Sequence, residues 1–133
     1  MAGKIVADTL EHSTAGSVDT QYVVNGSAKA WVNYNGSTAT GTADTTGVRD
    51  SLNIASLVDD GTGDQTLNFS SAMSNANYVV QSGEGRTENT NFYFGFTNII
   101  NVTTTAFNAQ TGNAGGTNID FFAVQLSVNG DLA

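Results

Sequence analysis

From Ala28 the chain alternates, with Ala28, Ala30, Val32 and Tyr34 on one side of an extended backbone and Lys29, Trp31 and Asn33 on the other. A period of two marks a strand with one buried face, and it leaves Trp31 on the polar side. Asn35-Gly36 is a turn signal, and the Thr-rich connection from Asn35 to Gly47 predicts a surface loop. Leu52 and Ile54 then alternate with Ser51 and Asn53, and Leu67 and Phe69 with Thr66 and Asn68. Between these runs Asp60-Gly61 offers the positive φ that hairpin turns require, so Asp59 to Asp64 predicts a hairpin.

Tyr78-Val79-Val80 is apolar on both faces and predicts a central or doubly covered strand. A charged loop follows from Gly83 to Asn91. Phe92, Phe94 and Phe96 next share a face opposite Tyr93 and Gly95, which is the strongest core signal in the chain. Thr103 to Phe107 is a weaker strand, and Gln110 to Asn118 is a Gly-rich turn. The last strand sets Phe122, Val124, Leu126 and Val128 on one face and Ile119, Phe121 and Ala123 on the other. About seven or eight strands at this spacing predict an all-β fold, an antiparallel β-sandwich of jelly-roll-like type, over residues 27–133. Large apolar residues are sparse before Tyr22, so residues 1–26 read as an extended N-terminal arm for attachment or oligomer contact.

A two-layer sandwich needs one apolar face per strand. The second apolar surfaces at Trp31, Tyr78 and Phe121 therefore need cover, either from loops over a central strand or from other copies of the chain, an interface that Ile5 and Leu10 of the arm would join. Proline, a common device for blunting sheet edges, is absent, so edges covered by loops or partner chains are expected.

The chain has 18 Thr, 15 Asn, 15 Gly and 11 Ser among 133 residues, which disfavours helix. Without cysteine, neither disulfides nor a thiolate zinc site can hold the fold. A net charge of -8 repels a phosphate backbone, so nucleic acid is not an expected partner. The first residues lack the apolar core of a secretory signal and no segment matches a membrane span, so synthesis in a cytosol and no membrane insertion are expected.

Catalytic constellations are poor. His12 is the only histidine and lies in the arm, away from any constellation that would hold it in a triad. Asp59, Asp60, Asp64, Glu84 and Glu88 fall in predicted turns, where solvated acids are usual. A calcium loop starting at Asp59 would need Asp or Asn at positions 61 and 63, where Gly61 and Gly63 stand, and a bidentate Glu at position 70, where Ser70 stands. No enzyme activity, cofactor or metal is expected. Loops on rigid β scaffolds commonly carry recognition, so Glu84, Arg86, Glu88, Asn91 and Tyr93 of one loop and Asn113 and Asn118 of another are the expected receptor-binding residues.

Ala30-Trp31-Val32-Asn33-Tyr34-Asn35-Gly36, Arg49-Asp50-Ser51-Leu52-Asn53-Ile54, Asp60-Gly61-Thr62-Gly63-Asp64 and Asn75-Ala76-Asn77-Tyr78 resemble small tail-fibre or virion structural proteins of tailed bacteriophages, of the marine and cyanobacterial type. The arm segments His12-Ser13-Thr14-Ala15-Gly16-Ser17 and Val23 to Lys29 fit the same group. The resemblance implies a virion component made in a host cytoplasm, assembled as a homo-oligomer, often a trimer. It would contact other virion proteins and present loops to a host-surface glycan or protein. The alternative is a capsid decoration, cement or tail connector protein with a purely structural role.

Overall fold

The computed structural model describes residues 3, 6–85 and 95–133. The alternation at Ala30–Tyr34 forms a strand (β3) whose Ala30, Val32 and Tyr34 are buried while Trp31 and Asn33 stay half-buried on the outer side. Before it lie a hairpin, β1 (Thr9–His12) and β2 (Gly16–Asp19), and a short helix, α1 (Thr20–Gly26), none of whose residues is buried. After it come β4 (Val48–Leu52), β5 (Ile54–Gly61), β6 (Asp64–Phe69), β7 (Val79–Gly85), β8 (Gly95–Ile100), β9 (Ala106–Asn113) and β10 (Ala123–Asn129).

Strands β3 to β10 form two four-stranded antiparallel sheets, ordered β4-β3-β10-β7 and β5-β6-β9-β8, packed as a sandwich. One core joins them, with Tyr34, Leu57, Leu67, Met73, Phe107 and Phe121 among its largest side chains. The all-β antiparallel sandwich expected from the periodicity is what the chain forms. At the centre Phe69, Tyr78 and Phe107 meet with ring centroids 5.5, 5.7 and 6.3 Å apart, two of the three pairs being edge-to-face, an arrangement that adds attraction beyond area burial.

The hairpin between β5 and β6 forms as expected, with one change of detail. Thr62-Gly63 makes the turn between the paired Gly61 and Asp64, and the positive φ values are at Gly61 and Gly63. Leu52 and Ile54, read as one run, belong to different sheets. Asn53 between them takes a left-handed φ of 58° and turns the chain from one layer to the other. Its side chain fixes the corner by accepting from Ser71 N–H and donating to Ser71 C=O.

Other expectations are corrected. Tyr78-Val79-Val80 does not start a central strand, because β7 is an edge strand and Val79 is 58% exposed. Phe96 is not in the core. It is partly exposed and covers Gly112 of the neighbouring strand, where a Cβ would meet its ring at 2.6 Å. Gly95 takes the inner position, and the Phe121 ring fills the space its missing side chain leaves. Phe92, Tyr93 and Phe94 lie outside the described residues. The Asn35–Gly47 connection is more than a surface loop, since its carbonyls at Asp44 and Thr40 accept from Leu57 and Asp59 N–H, both at 2.7 Å, and so cover the edge of β5. Among the described residues no helix is long and apolar enough to cross a membrane.

Candidate functional site

The register gives the sandwich two distinct ends. Ala30 pairs with Val128 and Val79 with Asn129 at one end, while Tyr34 pairs with Val124 and Gly85 with Ala123 at the other. The arm joins at the first end, where Lys29 N–H donates to Val128 C=O and the Asn129 amide to Gly26 C=O. The second end carries the Thr62-Gly63 turn, the β9–β10 connection, and the residues Gly85 and Gly95 that flank segment 86–94.

A buried polar chain fastens this second end. The Asp120 carboxylate accepts from Gly63 N–H at 2.6 Å and from the Gln65 amide at 3.2 Å, and the Gln65 carbonyl accepts from the Tyr34 hydroxyl at 3.4 Å. Gly63 is obligatory here, because it has a φ of +67° and a Cβ would meet Thr111 C=O at 2.3 Å. Thr111 donates its hydroxyl to Ile119 C=O at 2.6 Å, and Gly36 N–H donates to Phe121 C=O at 2.9 Å. Burial, with the Asp120 charge adding to it, pushes the Tyr34 phenol well above its ordinary range.

Val124, Leu126 and Val128 face the core as expected, but these bonds exchange the two residues ahead of β10. Phe121 turns into the core and Phe122 turns outward, where the Arg49 guanidinium sits 4.5 Å from its ring centroid. Arg49 also donates to Phe122 C=O, and to Asn33 Oδ1 at 3.1 Å.

Of the expected receptor-binding residues, Asn113 and Asn118 flank the β9–β10 turn at the second end. The Asn113 side-chain oxygen accepts from Gly115 and Thr117 N–H, both at 3.0 Å, so it shapes the turn. Glu84 stands on β7 opposite Val124, within a strand and not in a loop. Arg86, Glu88, Asn91 and Tyr93 lie outside the described residues, as does Ile5. Of the expected interface residues, Leu10 is 48% exposed on β1 and Trp31 is half-buried on the outer sheet face. Tyr78 and Phe121 are corrected: both are buried within their own chain. The Tyr78 hydroxyl donates to Thr103 and Ala106 C=O, so neither residue needs a partner's cover.

The arm holds much of the uncovered apolar surface. Val6, Leu10, Val18, Tyr22, Val23 and Val24 are all exposed, Val6 at 81% and Tyr22 at 65%. His12 is occupied structurally, its Nδ1 accepting from Thr14 and Ala15 N–H in the β1–β2 turn. Among the described residues no group of three His, Cys, Asp or Glu side chains could hold a metal ion.

The periodicity reading missed a groove on the outer face of the β4-β3-β10-β7 sheet. It has a volume of about 420 Å3, and Trp31, Asn33, Gln81, Gly83, Gln125 and Ser127 line it. The available signal was Trp31 on a polar face, continued by Gln125 and Ser127 on the polar side of β10. No protein-family model, curated protein or solved structure matches the chain.

Proposed function

We propose that the chain is a phage virion module, a tail-fibre or fibre-tip protein that assembles as a homotrimer, docks through its arm and offers its sandwich to a host surface. The reading is carried by one observation: the arm, with its exposed apolar side chains, joins the sandwich at the end opposite the Thr62-Gly63 turn and the β9–β10 connection. An apolar surface of this kind is characteristic of segments that are covered in an assembly. Attachment at one end, with the β9–β10 connection presented at the other, suits a particle component whose weak contacts gain avidity through copy number. The resemblance of the Ala30–Ile54 phrases to tail-fibre proteins supports the same reading.

The test is the mass of the full chain by light scattering, together with imaging of particles. A trimer has three times the 13.8 kDa of one chain, and arm variants Leu10→Ser and Tyr22→Ser are expected to reduce it to the monomer or to displace the protein from the particle. A wild-type monomer absent from particles would overturn the proposal. Hundreds of copies over the capsid would replace it with the decoration role.

A further inference from the structure

We infer that the outer face of the β4-β3-β10-β7 sheet is a binding site for a neutral glycan chain, with Trp31 as its apolar platform. This rests on the host-attachment reading and assigns the ligand class and the surface. The strand register sets two rows across the face: Leu52, Trp31, Ser127 and Gln81 in one, Asp50, Asn33, Gln125 and Gly83 in the next. Gly83 leaves the floor beside Gln125 open, and a Cβ there would sit 3.7 Å from the Gln125 side-chain oxygen.

The chemistry of the lining selects the ligand. A sugar ring presents an apolar C–H face and hydroxyls that both donate and accept, which suits an indole beside side-chain amides and a hydroxyl. The groove itself is lined by no charged side chain, the charged residues of this face, Asp50 and Arg49, standing on the edge strand β4, although the chain as a whole has a net charge of -8. An uncharged ligand is therefore the complementary one. Arg49 is a positioning residue: held over Phe122, it occupies Asn33 Oδ1 and leaves the Asn33 amide N–H groups as donors. The side chains of Gln81, Gln125 and Ser127 engage no hydrogen-bond partner among the described residues, and Gln81 and Gln125 are exposed.

The opposite sheet is a control within the same molecule. Its outer face pairs most of its polar side chains with one another, Asn68 donating to Ser56 Oγ at 3.0 Å, Gln110 to Asp64 at 3.1 Å, and Thr66 to Asp60, while Asn98 at the β8 edge engages none among the described residues. Polar groups already paired gain little from a ligand, whereas unpaired ones beside an aromatic ring are the usual makeup of a binding site.

Trp31 is the only tryptophan, so its emission reports on this groove alone. The full-length protein is titrated with cellohexaose, maltohexaose and mannohexaose, and with oligogalacturonate as the charged counterpart. The expected result is a saturable emission change with at least one neutral hexasaccharide and about tenfold weaker or no response to oligogalacturonate. By calorimetry, Gln125→Ala is expected to weaken that binding about tenfold, Trp31→Phe to retain it within about tenfold, and Trp31→Ala to lose it. Far-UV circular dichroism shows whether each variant keeps the sandwich. The inference is overturned by silence towards all three neutral sugars, by Trp31→Ala and Gln125→Ala variants that bind as wild type does, or by a Trp31→Ala variant whose oligomer falls apart, which would make this face a subunit contact. Particles carrying Trp31→Ala that adsorb normally would sink the groove yet leave attachment through the turn-bearing end standing. A protein that binds sugar but is absent from particles would sink the virion reading alone.

Discussion

The arm and the sandwich are folded by different means. In the sandwich, side chains from eight strands close over one another, so Phe107, Leu67 and Leu57 are wholly buried and even the polar Gln65 and Thr111 find partners inside. In the arm, β1, β2 and α1 are held by local hydrogen bonds such as Thr20 to the Ala7 and Asp8 carbonyls, and α1 buries nothing. A seven-residue helix is too short to be stable by propensity alone. Stability therefore resides in the sandwich, while the arm leaves its apolar side chains exposed, and the two should answer differently to substitution.

The largest effect is expected from Phe107→Ala, which removes the ring that both Phe69 and Tyr78 pack against. Chemical denaturation should register a loss of about 3–5 kcal/mol. Asp120→Ala comes next, since it strips Gly63 N–H and the Gln65 amide of their acceptor, and a loss of about 1–3 kcal/mol is expected. A smaller effect is expected from alkali. Burial raises the Tyr78 phenol from its ordinary 10.0 to about 12. The folded state thus holds this proton more tightly than the unfolded one. The stability so contributed is whole below pH 10 and lost as pH rises through 12, and Tyr78→Phe should flatten that part of the decline in denaturation midpoint.

At the acid end the Asp44 carboxyl is lowered by Thr46 N–H and the Thr40 hydroxyl. Its contribution is present above the ordinary 3.8 and lost as pH falls below it, and Thr40→Ala should reduce that acid sensitivity. The smallest change in sandwich stability is expected from Leu10→Ser with Tyr22→Ser, within about 0.5 kcal/mol of wild type. A large loss there would show that the arm shares the core after all.

Legibility in the sequence followed how regular the backbone is. β3 and the β5–β6 hairpin were readable because strict alternation and an Asp-Gly-Thr-Gly turn carry their own signals. Where a single residue redirects the chain, periodicity has no means of recording it. Asn53 in a left-handed conformation separates Leu52 and Ile54 into different layers, and the anchoring of Asp120 and Phe121 flips the parity between Phe121 and Phe122. Gly95 and Phe96 exchange inside for outside because Phe121 arrives from the β9–β10 connection to take the inner place. The Trp31 groove was half visible, as an aromatic residue on a polar face. Its amides come from β7 and β10, about 50 and 90 positions further along the chain, and only strand pairing brings them together.

The antiparallel pairing of β3 with β10 sets how the molecule carries load. Traction applied between the arm and the turn-bearing end runs along the strand axis, so the five residue pairs from Ala30–Val128 to Tyr34–Val124 are strained together in shear instead of peeling apart one after another. Under such a load the β3–β10 seam gives as a unit.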